Sequence, residues 1–143
     1  MLAACGSNTD NAFQEQTDAF ATEYQKFADD FKQTSEDFIA NPTDATAKKL
    51  EELNQQKDEL AQKAKDISQE AKDKGEEISD STLSKVKDTT NEVSDISKKQ
   101  ADALSKNADK FKKFISEDVF NKVKDGTQKL VDSSTNYFKD LFN

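Results

Sequence analysis

Apolar side chains recur along the first part of the chain with a helical beat. Phe13, Thr17, Phe20, Tyr24, Phe27, Phe31, Thr34 and Phe38 are separated by alternating steps of four and three, the spacing that keeps one face of a helix turned towards a partner. Six of these eight positions are aromatic. The residues between them are mostly Gln, Asp, Glu, Lys and Ala, as a solvated face requires. Asn41-Pro42 closes the segment, because proline disfavours a helical conformation in the residue before it.

The same pair opens a second segment. Asn41 is suited to an N-cap, Pro42 to the first helical position and Asp44 to the positive helix end. Leu50, Leu53, Leu60, Ala64, Ile67, Ala71 and Ile78 then recur at spacings of three, four and seven. Lys57 and Lys74 interrupt this seam, so shallow burial is expected there. Glu59/Lys63 and Glu70/Lys74 are acid-first pairs four apart, each adding a few tenths of a kcal/mol. Gly75 and the run Ser79-Asp80-Ser81-Thr82 mark the next break.

A third segment offers Leu83, Val86, Val93, Ile96, Leu104, Ala108 and Phe111 as inward residues. Its thinnest stretch lies between Ile96 and Leu104, where only Ala101 and Ala103 are apolar. Ser116-Glu117-Asp118 reads as a helix start, a capping hydroxyl followed by acids. Phe120, Val123, Thr127, Leu130, Ser134, Tyr137 and Leu141 continue the stepping in a fourth segment. Gly126 falls off that seam, at a helix-propensity cost of about 1 kcal/mol relative to alanine.

These patterns predict an all-α fold: an elongated antiparallel four-helix bundle, or coiled-coil hairpins, with helices over 10–40, 42–78, 82–114 and 116–142. Residues 10–143 form a single bundle in this reading, and 1–9 precede it as a flexible tether. Short connections favour antiparallel neighbours. All ten phenylalanines and both tyrosines fall within 13–38 or 111–142. The first and last helices are therefore expected to pack together as the main core, with the middle pair as a slimmer hairpin projecting beyond it. The seams close equally well within one chain or between two, which leaves the oligomeric state open.

Composition narrows the function more than the fold. Of 143 residues, 33% are hydrophobic and 35% charged, and Leu, Ile, Val and Phe together number 28. That share, just under about 20%, excludes a thick multilayer core. Three glycines and one proline leave few places for the turns of a β-rich fold. All 21 basic residues are lysine and the net charge is −8, which argues against binding duplex nucleic acid. General acid–base and nucleophilic catalysis rest on a positioned histidine, a base-activated Ser or Cys, or a tuned carboxylate. There is no histidine, and the glycines stand too far apart for a phosphate loop, so no enzyme and no cofactor is expected. The spacing for zinc or an EF-hand is missing as well. Asp29-Asp30 and Glu117-Asp118 offer calcium only a loose attraction and read better as solvated acids.

One short motif points to a location. Cys5, the sole cysteine, sits in Leu2-Ala3-Ala4-Cys5-Gly6-Ser7-Asn8. These residues resemble the lipobox of bacterial lipoproteins, most closely those of Gram-positive surfaces. The resemblance implies that Cys5 is the lipid attachment site and the mature N-terminus, that Leu2, Ala3 and Ala4 end a signal peptide, and that Met1 lies inside a truncated signal sequence. It implies a lipid-anchored protein on the extracytoplasmic face of the cell membrane, with a protein or cell-wall partner. Some lipoproteins of that class are prophage-encoded and interfere with phage DNA entry. A two-chain lipid suffices for stable attachment, at about 0.8 kcal/mol per buried methylene. The alternative is an amphipathic protein that binds lipid or apolar ligands through its aromatic stripe. The middle of the chain also resembles late-embryogenesis-abundant and apolipoprotein-like helices, which implies a disordered segment that folds only on a surface or when dried.

Overall fold

A computed structural model describes the backbone of residues 2–133 and the side chains of residues 12–132. Five helices follow one another: α1 (Leu2–Ala40), α2 (Asp44–Lys74), α3 (Asp80–Lys106), α4 (Ala108–Phe114) and α5 (Glu117–Ser133). The all-α bundle expected from the periodicity is the architecture observed, and no strand occurs among the described residues. The part of the fourth seam carried by Ser134, Tyr137 and Leu141 lies outside them.

Local chemistry explains the boundaries. α1 begins at Leu2 and takes in residues 2–9, where the sequence reading placed a lipobox and tether. No proline interrupts that stretch, and Gly6 lowers helix propensity there without breaking the helix. The N-cap of α2 is Thr43 rather than Asn41. Its hydroxyl accepts from the Thr46 amide at 3.1 Å, and the Thr46 hydroxyl accepts from the Thr43 amide at 3.2 Å, which satisfies two free donors reciprocally. Pro42 therefore lies in the connection. α2 stops where Gly75 turns left-handed at φ 67°, a conformation costly for any residue with a Cβ. Ile78 consequently falls beyond the helix. Ser79 caps α3, and Ser116 caps α5 by accepting from the Val119 amide at 3.2 Å. The third segment is broken at Asn107 into α3 and α4.

Pairs of side chains fix the directions. Gln14 meets Thr82, Tyr24 meets Thr90 and Gln25 meets Glu92, so α1 and α3 run parallel. Lys63 meets Glu23 across antiparallel α1 and α2. Gln100 meets Thr127 across antiparallel α3 and α5. α1 packs on α2 and α3, and α5 packs on the same two helices from the other side. Successive long helices alternate in direction as expected, but the order around the bundle is α1–α2–α5–α3.

This order corrects two expectations. Among the described residues, α1 and α5 are diagonal instead of forming a main core together, and α2 and α3 are diagonal instead of forming a hairpin. Residues 75–79 make the diagonal possible. Five extended residues reach up to about 17 Å, and helices 8–10 Å apart have diagonals of roughly 11–14 Å. The middle pair does not project. Its connection lies beside the early part of α1, with the Gln14 amide 3.3 Å from the Ser79 hydroxyl.

One continuous core runs through the bundle. Phe20, Tyr24, Phe27 and Phe31 form a row of near-parallel rings with centroids 6.0, 6.3 and 6.0 Å apart. The aromatic end segments do meet, through α4: Phe38 stacks on Phe111 at 5.1 Å, and Phe111 contacts Phe120 at 6.3 Å. Lys57, expected at a shallow point, is only 5% exposed. Its long stem covers apolar surface, and its ammonium lies 3.5 Å from the Asp58 carboxylate. Lys74 is exposed, as expected, and bonds Glu70 at 2.7 Å. Gly126, which the pattern left without a role, lies against Asn54 where α5 approaches α2.

Candidate functional site

Three places in the structure carry features beyond simple packing: the start of α1, the buried seam between α1 and α3, and the corner between α4 and α5. Each follows from its residues.

The start of α1 contains the one residue assigned a role from the sequence. Cys5 falls in the first turns of a helix that runs unbroken to Ala40. A helix rises 1.5 Å per residue, which puts Phe38 about 50 Å along the axis from Cys5. Whatever is fixed at Cys5 is thus joined to the far end of the bundle by one continuous helix.

The seam between α1 and α3 is polar. Buried on α3 are Thr82, Thr89, Thr90, Ser94, Ser97 and Gln100, against only Val86, Val93, Ile96 and Leu104. Helical spacing brings these hydroxyls to the face that meets α1 and α5. Within α3, Thr89, Thr90 and Ser97 bond the carbonyls of Lys85, Val86 and Val93 at 2.7–2.8 Å. Across the seam, the Thr82 hydroxyl bonds Asp18 and the Thr89 hydroxyl bonds Gln25, both at 2.9 Å. The Tyr24 and Thr90 hydroxyls lie 3.0 Å apart in the interior. Burial pushes the Tyr24 phenol well above its ordinary 10.0, and the bond to Thr90 offsets part of that shift. A phenol so placed stays protonated at neutral pH and acts as a structural hydrogen-bonding group. Gln100 fills the thin stretch between Ile96 and Leu104, where its amide donates to Thr127 while its carbonyl oxygen is buried without a partner.

Sequence reasoning placed Thr17, Thr34 and Thr127 on inward seams but missed the polar residues of α3, because its serines, threonines and glutamine read as solvated. The available signal was positional. Thr82, Thr89, Val93, Ile96 and Gln100 keep to steps of three, four and seven, as the apolar positions do.

The corner between α4 and α5 is made by Ile115, which is extended and buried, so that Phe114 on its other side is turned outward. Phe114 is 58% exposed, and Lys110, Lys112 and Lys113 of α4 are exposed around it. The Lys112 ammonium lies over the Phe120 ring at 5.3 Å. This corner shares an end of the bundle with Phe38, away from Cys5.

The weak calcium candidates are not assembled into a site. Asp29 and Asp30 are exposed on α1, where Asp29 accepts from Gln25 at 3.1 Å, and Glu117 and Asp118 occupy the first turn of α5. Among the described residues no group of three His, Cys, Asp or Glu side chains is placed to hold a metal ion. No helix there is long and apolar enough to cross a membrane. The clefts are open surface grooves, such as the one along the α1–α3 seam beside Ala21, Gln25, Lys85 and Asp88. No family model matches the chain, and neither a curated protein nor a solved structure matches it.

Proposed function

We propose that this protein is a lipid-anchored, extracytoplasmic helical binding or scaffold module of a bacterial surface, acting without catalysis. The observation that carries the reading is the position of the sole cysteine, Cys5, at the modified site of a lipobox-like sequence, on a helix that reaches the opposite end of the bundle. A lipid at Cys5 fixes one end at the membrane. The α4–α5 corner then stands about 50 Å away, at 1.5 Å per helical residue, where it can meet a protein or a wall polymer. The α2–α3 connection does not serve that purpose, because it lies at the anchored end. Confinement near one membrane raises the effective concentration of the corner for neighbouring partners, so that weak contacts suffice.

The test is mass spectrometry of the protein isolated from its own cells, combined with liposome flotation. The expected product begins at a diacylglyceryl-modified Cys5 and floats with liposomes, and Cys5→Ser abolishes both properties. An unmodified thiol with Met1 retained would overturn the reading. Flotation of the Cys5→Ser protein would favour the alternative, in which the helices themselves bind lipid.

A further inference from the structure

The two long helices that flank α1 hold it by different means. Seven of the nine buried residues of α2 are apolar, whereas six of the ten on α3 are hydroxyl or amide side chains. Exposing the α2 face puts leucines and an isoleucine into water, which opposes separation in proportion to the area uncovered. Exposing the α3 face also uncovers Val86, Val93, Ile96 and Leu104, but it returns six hydroxyl or amide side chains to a solvent that bonds them nearly as well as the protein does. The orphaned carbonyl oxygen of Gln100 gains a partner only when it meets water. Both ends of α3 are also breaks in the helical backbone. The residues 75–79 precede it with Gly75 left-handed, and Asn107, at φ −119° and ψ 29°, follows it without a side-chain cap for α4.

We infer that α3 is the detachable element of the bundle: it swings away from α1 and α5 on the non-helical residues 75–79 and on Asn107, while α1 and α2 stay paired. Such an opening bares the face of α1 that carries Tyr24, whose hydroxyl meets Thr90 in the closed form. It makes the protein a two-state device, closed as a bundle and open with α1 and α2 still paired, α5 still against α2, and the aromatic rings of α1 presented. The inference does not rest on the lipid at Cys5.

The test uses the full chain with Cys5→Ser, so that its outcome is separate from that of the anchor. Amide hydrogen exchange is followed by mass spectrometry in water and in low, sub-denaturing urea, comparing residues 86–100 of α3 with 24–38 of α1 and 50–67 of α2. Exchange at least ten-fold faster in α3 than in the other two, with a weaker urea dependence, is expected of a partial opening. Equal rates in all three helices, or faster exchange in α2, would overturn the inference. In a second arm, Ser97→Ala combined with Gln100→Leu makes the α3 face apolar and is expected to narrow the difference several-fold. An unchanged difference in that folded variant would show that the polar seam is not the cause, and would also overturn it. The wild-type urea series decides the matter alone if the variant does not fold.

Discussion

α2 and α3 are close to the same length, lie against the same two neighbours, and sit diagonally across the bundle from each other. They are nevertheless built on different chemistry. α2 presents Leu50, Leu53, Leu60 and Ile67, and its fit depends on how much apolar surface leaves water. α3 presents Thr82, Thr89, Thr90, Ser97 and Gln100 among Val86, Val93, Ile96 and Leu104, and its fit depends on geometry as well, because a buried hydroxyl is tolerated only where a partner waits. A chain with few large aliphatic residues can therefore still complete a four-cornered bundle, by making one corner of hydrogen bonds. Hydrogen bonds of that kind fix the register of the corner they make.

Substitutions can break this comparison or sharpen it. The largest effect is expected at Leu60, which is 1% exposed. Leu60→Ala should cost about 2–5 kcal/mol in urea unfolding, through lost transfer energy and a cavity. Ser97→Ala at an equally buried place on α3 should change stability by less than about 1 kcal/mol, since the helix keeps its backbone bonds and gains propensity. Equal losses at the two positions would mean that the helices are held alike.

Alkaline titration probes the interior of the α1–α3 seam. Folding raises the Tyr24 phenol above its ordinary 10.0, so the folded state keeps a proton that the unfolded chain releases. That stabilisation is complete below pH 10 and declines as pH rises beyond it. Relative to Tyr24→Phe, the wild-type protein should lose up to about 1.4 kcal/mol per pH unit above 10, measured as the difference between urea midpoints at matched pH. Parallel pH profiles would show that Tyr24 is in contact with water in the folded protein.

Gln100→Met sharpens the comparison from the other side. The substitution removes a buried oxygen with no partner and leaves Thr127 its bond to the Val123 carbonyl at 2.7 Å. It should stabilise by up to about 1 kcal/mol, because an unsatisfied buried polar atom costs more than its own partial bonding returns. A clear loss would show that the Gln100–Thr127 bond is worth more than the orphan costs.

The smallest effect is expected at the α2–α5 approach. Gly126→Ala gains up to about 1 kcal/mol of helix propensity, but the new methyl meets the Asn54 side chain. Alone it should be near neutral, and with Asn54→Ala the gain should appear in full. Additivity of the two changes would mean that these helices approach less closely than Gly126 and Asn54 indicate.

The same contrast explains what could be read from the sequence. Leu50, Leu53, Leu60, Ala64 and Ile67 announced the buried face of α2 because leucine and isoleucine are rarely placed in water in so regular a series. The aromatic seam of α1 and the cap at Ser116 were legible for similar reasons. The face of α3 was legible only at Val86, Val93, Ile96 and Leu104, since a serine or threonine is equally at home in solvent and gives burial no signature of its own. The neighbour of each helix was not legible at all. Periodicity says which side of a helix turns inward but not which helix waits there, so the pairing of aromatic ends was expected directly and occurs through Phe38, Phe111 and Phe120. Lys57 misled because its charge hid a stem that packs. Of the residues proposed to matter, the sequence singled out Cys5 alone, through a motif of seven residues, whereas the outward turn of Phe114 depends on the bend at Ile115, which no spacing announces.

The stretch from Gly75 to Ser79 has a consequence for the circuit of the whole assembly. Because it is just long enough to traverse the cross-section, it lets the chain visit opposite vertices in succession, and α5 takes the one left vacant. Deleting two of those residues would oblige α3 to settle beside α2, and the path of the backbone around the central axis would have to be redrawn. A handful of residues outside the helices thus chooses between two circuits that the same amphipathic rods would otherwise accommodate.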